Sequence, residues 1–119
     1  MKLDALKSPD ECSSIEEIRG AIDEIDHEIV GAIGRRFEYV KAIMRFKSTA
    51  DDVRAPQRYQ AVLQQRRDWA AEAGLDEDVI EQLYRDLIGY FIAHEMTVLE
   101  EQDADNFADN NGAEQPEAD

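Results

Sequence analysis

The sequence predicts an all-α protein, and two observations carry this prediction. Apolar residues recur at spacings of three and four along three segments, which is the period of a helix with one buried face. The same residues show no strand-like alternation, no internal repeat and no glycine-rich phosphate loop. A chain of 119 residues is long enough for one domain and too short for two.

The first predicted helix begins after Ser14, because Ser14-Ile15-Glu16-Glu17 has the S-x-x-E form of a capping box. An apolar stripe with helical spacing then runs through Ile15, Ile18, Ile22, Ile25, Ile29 and Ala32 and resumes at Tyr39, Ile43 and Phe46. A helix of about 30 residues spans about 45 Å. Two shorter helices cannot cover that length, so we expect a homodimer with interleaved long helices.

Two further helices follow a segment, residues 48–54, that lacks periodicity and is predicted to be a loop. Pro56 suits the first turn of the second helix, and Gly74 suits its left-handed end. The third helix is predicted to start at Asp76 or Asp78. The predicted apolar faces consist of Tyr59, Val62, Leu63, Trp69, Ala70 and Ala73 in the second helix and of Ile80, Tyr84, Leu87, Phe91 and Val98 in the third.

The composition divides the chain into a helical domain at residues 14–101 and two polar ends. Residues 1–13 are predicted to be a flexible N-terminus. Residues 102–119 contain six acidic residues, no Lys or Arg, and Phe107 as their one large apolar side chain. Such a segment cannot bury enough surface to offset the entropy of ordering it, so the sequence predicts a disordered acidic tail.

The overall charge argues against several classes of binding partner, and the single cysteine indicates the redox environment. With 13 basic and 28 acidic residues the formal net charge is -15, which argues against nucleic acid and against anionic membrane surfaces. The sequence has no apolar run of about 20 residues, and its start, MKLDALKSPDE, lacks the apolar core of a signal peptide. Cys12 cannot form an internal disulfide, which fits a reducing compartment. We expect a cytoplasmic protein.

Cationic residues interrupt the apolar pattern of the first helix. Arg36 falls on the seam of the apolar stripe, and Lys47 lies 11 residues later, about 20° away in azimuth on the same face. Arg19 is roughly 100° away from Arg36, so it points in another direction and could serve a neighbouring subunit.

The later helices add Arg58, in the first turn of the second helix, and Glu95, four residues after Phe91 on the apolar face of the third. A single arginine at such a position is commonly a snorkelling side chain. Several cations buried together require anions to pair with them, so the set favours an enclosed site for a small di-anion.

Two segments resemble a known family. The first helix, IEEIRGAIDEIDHEIVGAIGRRFEYVKAIMRFK, resembles that of the all-helical chorismate mutases, whose pattern is I-R-x-x-I-D-x-I-D, then small residues before R-R, then a final K. The later segment RAPQRYQAVLQQRRDWAAEAGLD is similar to the branch that contains isochorismate-pyruvate lyases, where APxR and W-A-x-x-x-G-L recur. The resemblance covers residues from about 9 to about 100.

This resemblance implies an intertwined homodimer with two equivalent sites and assigns the roles of the charged residues. Each site would take Arg36, Lys47, Arg58 and Glu95 from one chain and Arg19 from the other. Arg19 and Arg36 would bind the two carboxylates of the substrate, and Lys47 would contact the enolpyruvyl group and its ether oxygen. The segment 48–54 would act as a lid. The resemblance implies no cofactor and no metal.

The reactions of this family are pericyclic, so the protein has to fold the substrate and stabilise negative charge on the ether oxygen. Ala55 and Tyr59 flank Arg58 where mutases typically carry carboxylates that contact the 4-hydroxyl of chorismate. Their absence favours isochorismate cleavage to salicylate and pyruvate as the main activity. Chorismate mutase as the main activity is the alternative, and a non-catalytic helical dimer is a further one.

Glu95 stands where bacterial members usually carry glutamine, although some fungal mutases carry glutamate there. Two roles are open for it. As a neutral acid it would donate a hydrogen bond to the ether oxygen, whereas as a carboxylate it would pair with a neighbouring cation. His27 and His94 lack metal-ligand spacing and are predicted to be ordinary residues on helix surfaces.

Overall fold

The computed structural model describes residues 2–113, and these residues form helices and turns without a strand. The all-α prediction is confirmed. Short 3₁₀ turns occur at Lys2–Ala5, Pro9–Glu11 and Met44–Phe46, and the α-helices are α1 (Ile15–Ile43), α2 (Ala50–Arg54), α3 (Pro56–Glu72) and α4 (Glu77–Ala113). The described chain divides into two compact units at the peptide between Val40 and Lys41.

The start of α1 follows the predicted capping sequence with one difference. The Ser14 hydroxyl accepts a hydrogen bond from the backbone N–H of Glu17, at 3.1 Å. The Glu17 carboxylate reaches past Ser14 and accepts from the backbone N–H of Ser13 at 2.8 Å and from the Ser13 hydroxyl at 2.6 Å. It also pairs with Lys7. The N-terminal segment, predicted to be flexible, is therefore tied to the first turn of α1 through Lys7 and Ser13.

The apolar stripe of α1 is exposed in the single chain. Its five isoleucines, at positions 15, 18, 22, 25 and 29, keep between 39 and 55% of their surface accessible. Unpartnered apolar stripes of this length are unusual on monomers. The exposure agrees with the expectation that one chain cannot cover its own long helix.

Residues 50–54 form a short helix, α2, so the prediction of a loop over residues 48–54 was wrong for these five residues. Thr49 caps this helix, and Ala55 links it directly to α3 in the left-handed conformation, with φ 37° and ψ 65°. A five-residue helix is too short to show apolar periodicity, which is why the pattern did not reveal it.

Both ends of α3 and the start of α4 agree with the sequence prediction. Pro56 opens α3, and Gly74 follows its end with a φ of 76°, a conformation that favours glycine. Asp76 is the residue that caps α4, because its carboxylate accepts from the N–H groups of Asp78 at 2.8 Å and Val79 at 3.1 Å.

The hydrophobic core of the second unit lies where α2 and α3 pack on α4. One cluster contains Met44, Val53 and Leu99, with Ile92, Met96 and Val98 against it. Val62, Leu63, Ala70 and Phe91 are buried as well. Trp69, predicted for the apolar face, is instead half exposed, and the central carbon of the Arg66 guanidinium lies 4.6 Å from its ring centre.

The C-terminal part of α4 differs from the sequence prediction. The helix continues to Ala113, so residues 102–113 are helical where the sequence predicts a disordered tail. Extending an existing helix costs much less than nucleating one, and the first proline after the domain is Pro116. The remaining tail residues, 114–119, lie outside the described part of the chain. No helix among the described residues is long and apolar enough to cross a membrane.

Candidate active site

The second unit contains a buried ion pair between two of the predicted site residues. Lys47 Nζ donates a hydrogen bond to Glu95 Oε2 at 3.1 Å. The Glu95 side chain is 4% exposed and that of Lys47 is 17% exposed. An acid and a base withdrawn from water to this degree are stable only as partners, because either one alone would carry an uncompensated charge.

Glu95 is buried because of its register on α4. Phe91 lies one turn before it and Leu99 one turn after it, and both are buried apolar residues. Residues four apart share one face of a helix, so position 95 must face the interior. The predicted placement of Glu95 on the apolar face is confirmed.

Lys47 reaches the site from the turn that follows α1. Its backbone N–H donates to the Met44 carbonyl at 3.2 Å, which closes the 3₁₀ turn. The backbone of Lys47 then becomes extended, with φ −118° and ψ 130°. Met44 is buried in the core cluster, so the turn that carries Lys47 is anchored by packing as well as by this hydrogen bond.

Residues 48–52, directly after Lys47, form a hydrogen-bonded turn around the Asp52 carboxylate, which we call the clasp. Asp52 Oδ2 accepts from the backbone N–H groups of Ser48 at 3.0 Å and Thr49 at 3.2 Å. The Thr49 hydroxyl accepts in return from the N–H of Asp52 at 3.1 Å. These backbone hydrogen bonds hold the pKa of Asp52 below its usual value, because they favour the carboxylate. The next residue, Val53, is 2% exposed and packs into the core cluster.

The three predicted substrate-binding arginines belong to two helices. Arg58 is in the first turn of α3 and is exposed, in the same unit as the ion pair. Arg36 and Arg19 belong to α1 in the other unit, where Arg36 is half-buried and Arg19 is exposed. Among the five predicted site residues, Lys47 and Glu95 lie in direct contact.

The side chain of Tyr59, which flanks Arg58, is held by a contact with α4. The Tyr59 hydroxyl accepts from the Arg85 guanidinium at 3.3 Å. Arg85 also pairs with Glu81, which in turn pairs with Arg67 of α3. The hydrogen bonds from Arg85 and Arg67 hold the pKa of Glu81 below its usual value. This network joins α3 to α4, and the periodic pattern alone gave no sign of it.

The histidines differ from each other. His27 is exposed, as predicted, whereas His94 is half-buried. Within the described part of the chain, His, Cys, Asp and Glu do not form a group of three that could hold a metal ion. At the Lys47–Glu95 pair the ammonium is a cationic donor with little exposure to water, which suits stabilisation of a developing anion, while the carboxylate offsets part of that charge.

Comparison with known proteins decides the family. Residues 18–96 match the family described as chorismate mutase type II, and this region includes all five predicted site residues. The chain belongs to this family. The resemblance noted in the sequence is therefore confirmed, and the fold is that of an all-α chorismate mutase.

Two relatives of this member of the chorismate mutase family indicate which kind of enzyme it is. The chain is 44% identical over 91 residues to the isochorismate pyruvate lyase of Pseudomonas aeruginosa. The aligned region covers 76% of this chain and 90% of the lyase. It is 33% identical over 73 residues to the T-protein of Haemophilus influenzae, and this aligned region covers 60% of the chain and 19% of the T-protein. The chain is thus an enzyme of the chorismate mutase and isochorismate pyruvate lyase kind, rather than a non-catalytic helical module.

Proposed function

We propose that the protein converts isochorismate to salicylate and pyruvate as its main activity. The observation that carries this proposal is the 44% identity to a lyase across 90% of that lyase. The residues around Arg58 support it, because Ala55 has no polar side chain and the Tyr59 hydroxyl is engaged by Arg85. Neither residue offers the carboxylate that the resemblance associates with the 4-hydroxyl of chorismate.

Lys47 has the central catalytic role in this proposal. As the C–O bond of isochorismate breaks, hydrogen passes from the ring to the enolpyruvyl carbon and negative charge grows on the ether oxygen. An ammonium in a site with little water stabilises that charge more strongly than it stabilises the neutral ether. The contact between Lys47 and Glu95 holds the ammonium inside the protein before substrate arrives.

Arginines supply the binding energy for the two carboxylates. Arg36 and Arg19 are proposed to bind them bidentately, Arg19 from the partner subunit, with Arg58 completing the cationic set. The half-buried position of Arg36 suits this role, because an anion held there is partly screened from water. No cofactor is required for either pericyclic reaction.

A homodimer is part of the proposal. The exposed isoleucine stripe of α1 needs an apolar partner surface, and a second copy of α1 offers a matching stripe. Measuring the mass of the purified protein in solution tests the dimer directly. The cytoplasmic location stays a prediction from the sequence.

Chorismate mutase activity is the second candidate for the main reaction. It is favoured by Glu95, because the resemblance associates glutamate at this position with some mutases. One pair of assays separates the two activities: isochorismate with detection of salicylate, and chorismate with detection of prephenate. The lyase proposal expects the higher kcat/KM for isochorismate. A higher value for chorismate would make the protein a mutase, and turnover of neither would refute both candidates.

A further inference from the structure

Hydrogen bonds fix the backbone of the segment that follows Lys47. The N–H of Lys47 donates to Met44, and the next two N–H groups, of Ser48 and Thr49, both donate to one oxygen of Asp52. The backbone on both sides of the Lys47 side chain is therefore fixed by hydrogen bonds to defined acceptors.

Burial reinforces these hydrogen bonds. Val53, directly after Asp52, is 2% exposed and packs with Met44 and Leu99. Leu99 is one turn from Glu95 on the same face of α4. Val53, next to the clasp, and Leu99, one turn after Glu95, thus belong to one packed cluster with Met44 of the turn before Lys47. A displacement of the 48–52 segment would therefore be transmitted to Lys47.

From this geometry we infer that Asp52 is a positioning residue, which acts through Lys47 by fixing the backbone N–H groups of Ser48 and Thr49. The inference rests on the proposed function, because it assumes that the Lys47 ammonium has to be correctly placed for catalysis. The hydrogen bonds of the clasp connect Asp52 with Ser48 and Thr49, and they do not include the Lys47 side chain or Glu95. Its effect is to limit the positions that the Lys47 ammonium can adopt.

The physical reason is pre-organisation. A lysine side chain has four rotatable bonds, and the position of its ammonium depends on where its backbone is held. A donor fixed before the reaction loses no energy to reorganisation at the transition state, whereas a displacement of about 1 Å can cost about a hundredfold in rate. Loosening the clasp should therefore lower kcat with little effect on KM, since the arginines retain the carboxylates.

Three variants test the inference. Asp52→Ala removes the acceptor, Asp52→Asn keeps an oxygen that can accept both N–H groups, and Asp51→Ala removes one negative charge from the same turn of α2. Asp51 is exposed and is therefore the matched control. We expect Asp52→Ala to lower kcat about tenfold, Asp52→Asn to recover most of it, and Asp51→Ala to match the parent. Equal kcat values for Asp52→Ala and Asp51→Ala would overturn the inference.

A double-mutant cycle separates positioning from a general effect on folding. In a Lys47→Ala background there is no ammonium to position, so Asp52→Ala should cause no further loss of rate. A full tenfold loss in that background would show that Asp52 acts independently of Lys47. Thermal unfolding of each variant identifies any loss of folded protein, and Asp52→Asn provides a folded comparison.

Two measurements without substrate keep this inference distinct from the proposed function. Asp52→Ala, and not Asp51→Ala, should speed hydrogen exchange at the Ser48 and Thr49 amides about tenfold. It should also increase the NMR-detected mobility of the Lys47 ε-carbon. Unchanged exchange and mobility would refute the positioning role even in an active enzyme. If the parent turned over neither substrate, the proposed function would fail, while these two measurements would still decide whether Asp52 positions Lys47.

Discussion

The ammonium of Lys47 lies 3.1 Å from the carboxylate of Glu95, although the two residues are 48 positions apart in the sequence. Lys47 comes from the turn after α1 and Glu95 from the middle of α4. Their charges compensate each other where Glu95 is buried between the turn-spaced apolar residues Phe91 and Leu99. When a di-anionic substrate binds, its ether oxygen and Glu95 must share the same ammonium, so Glu95 influences how much of the Lys47 charge is available to the reaction.

Replacing Lys47 by alanine should lower kcat about 10²–10³-fold, because its charge meets an oxygen that becomes negative mainly in the transition state. KM should change much less, since the arginines bind the carboxylates in the ground state. Steady-state kinetics with isochorismate and with chorismate measure both values.

Arg45→Ala is the matched control for Lys47→Ala. Arg45 belongs to the same 3₁₀ turn, is exposed, and stacks on Phe46 outside the ion pair. It should keep the parent rate. Removal of Lys47 also leaves Glu95 buried without its partner, so rates must be normalised to folded protein. A kcat for Lys47→Ala within a few-fold of the parent would exclude Lys47 from catalysis.

Replacing Glu95 by glutamine distinguishes its two possible roles. A glutamine donates a hydrogen bond at any pH, whereas a glutamate donates only while protonated. If Glu95 donates to the ether oxygen, the activity of the parent falls as pH rises and Glu95→Gln flattens the alkaline side of the profile. Because Glu95 forms an ion pair with Lys47, we expect the pairing role instead, with alkaline sides that coincide. Rate-against-pH curves for the two proteins measure this, and a flatter alkaline side for Glu95→Gln would show that Glu95 donates as a neutral acid.

The sequence was informative wherever a local rule governs the backbone. Ser14 and Gly74 were predicted as helix boundaries, and Asp76 as one of two candidates beside Asp78, because capping and the left-handed conformation depend on residues only a few positions apart. The burial of Glu95 could be predicted for the same reason, since its turn-spaced neighbours are apolar. The partner of Glu95 could not, because the contact with Lys47 depends on how the turn after α1 packs on α4.

The other differences between the sequence prediction and the structure arise from effects that apolar periodicity does not reveal. The five residues of α2 are too few to show a period, although Thr49-x-x-Asp52 has the spacing of a capping box. Trp69 lies at a helical apolar position, yet it is half exposed and its ring packs with the side chain of Arg66. Residues 102–113 have no apolar face to bury, but a helix that has already formed can extend without one.

Acid should weaken the attachment of the N-terminal segment to α1. Hydrogen bonds from Lys7 and Ser13 lower the pKa of Glu17 from its ordinary 4.5 to about 2. Because this folded-state pKa lies below the unfolded value, the contribution of Glu17 to stability is complete above about pH 4.5 and disappears as pH falls toward 2. Unfolding by urea at several pH values between 2 and 6 measures it.

Glu17→Gln should reduce this acid dependence, whereas Glu16→Gln, which removes the same charge from the neighbouring exposed position, should retain it. Added salt should shrink the difference, because Glu17 and Lys7 form a surface pair. Identical pH dependence in Glu17→Gln and the parent would show that the Lys7–Glu17 contact contributes nothing to folding.

Mixing two inactive variants tests whether each site draws on both chains. If Arg19 reaches the site of the partner subunit, then unfolded Arg19→Ala and Lys47→Ala chains that are refolded together should regain activity. A heterodimer of the two carries one site with both Arg19 and Lys47 intact and one site with neither. Random pairing makes half of the dimers mixed, and each contains one competent site of two, so about a quarter of the parent activity should return. Refolding each variant alone is the control, and a mixture no more active than these controls would contradict a site shared between subunits.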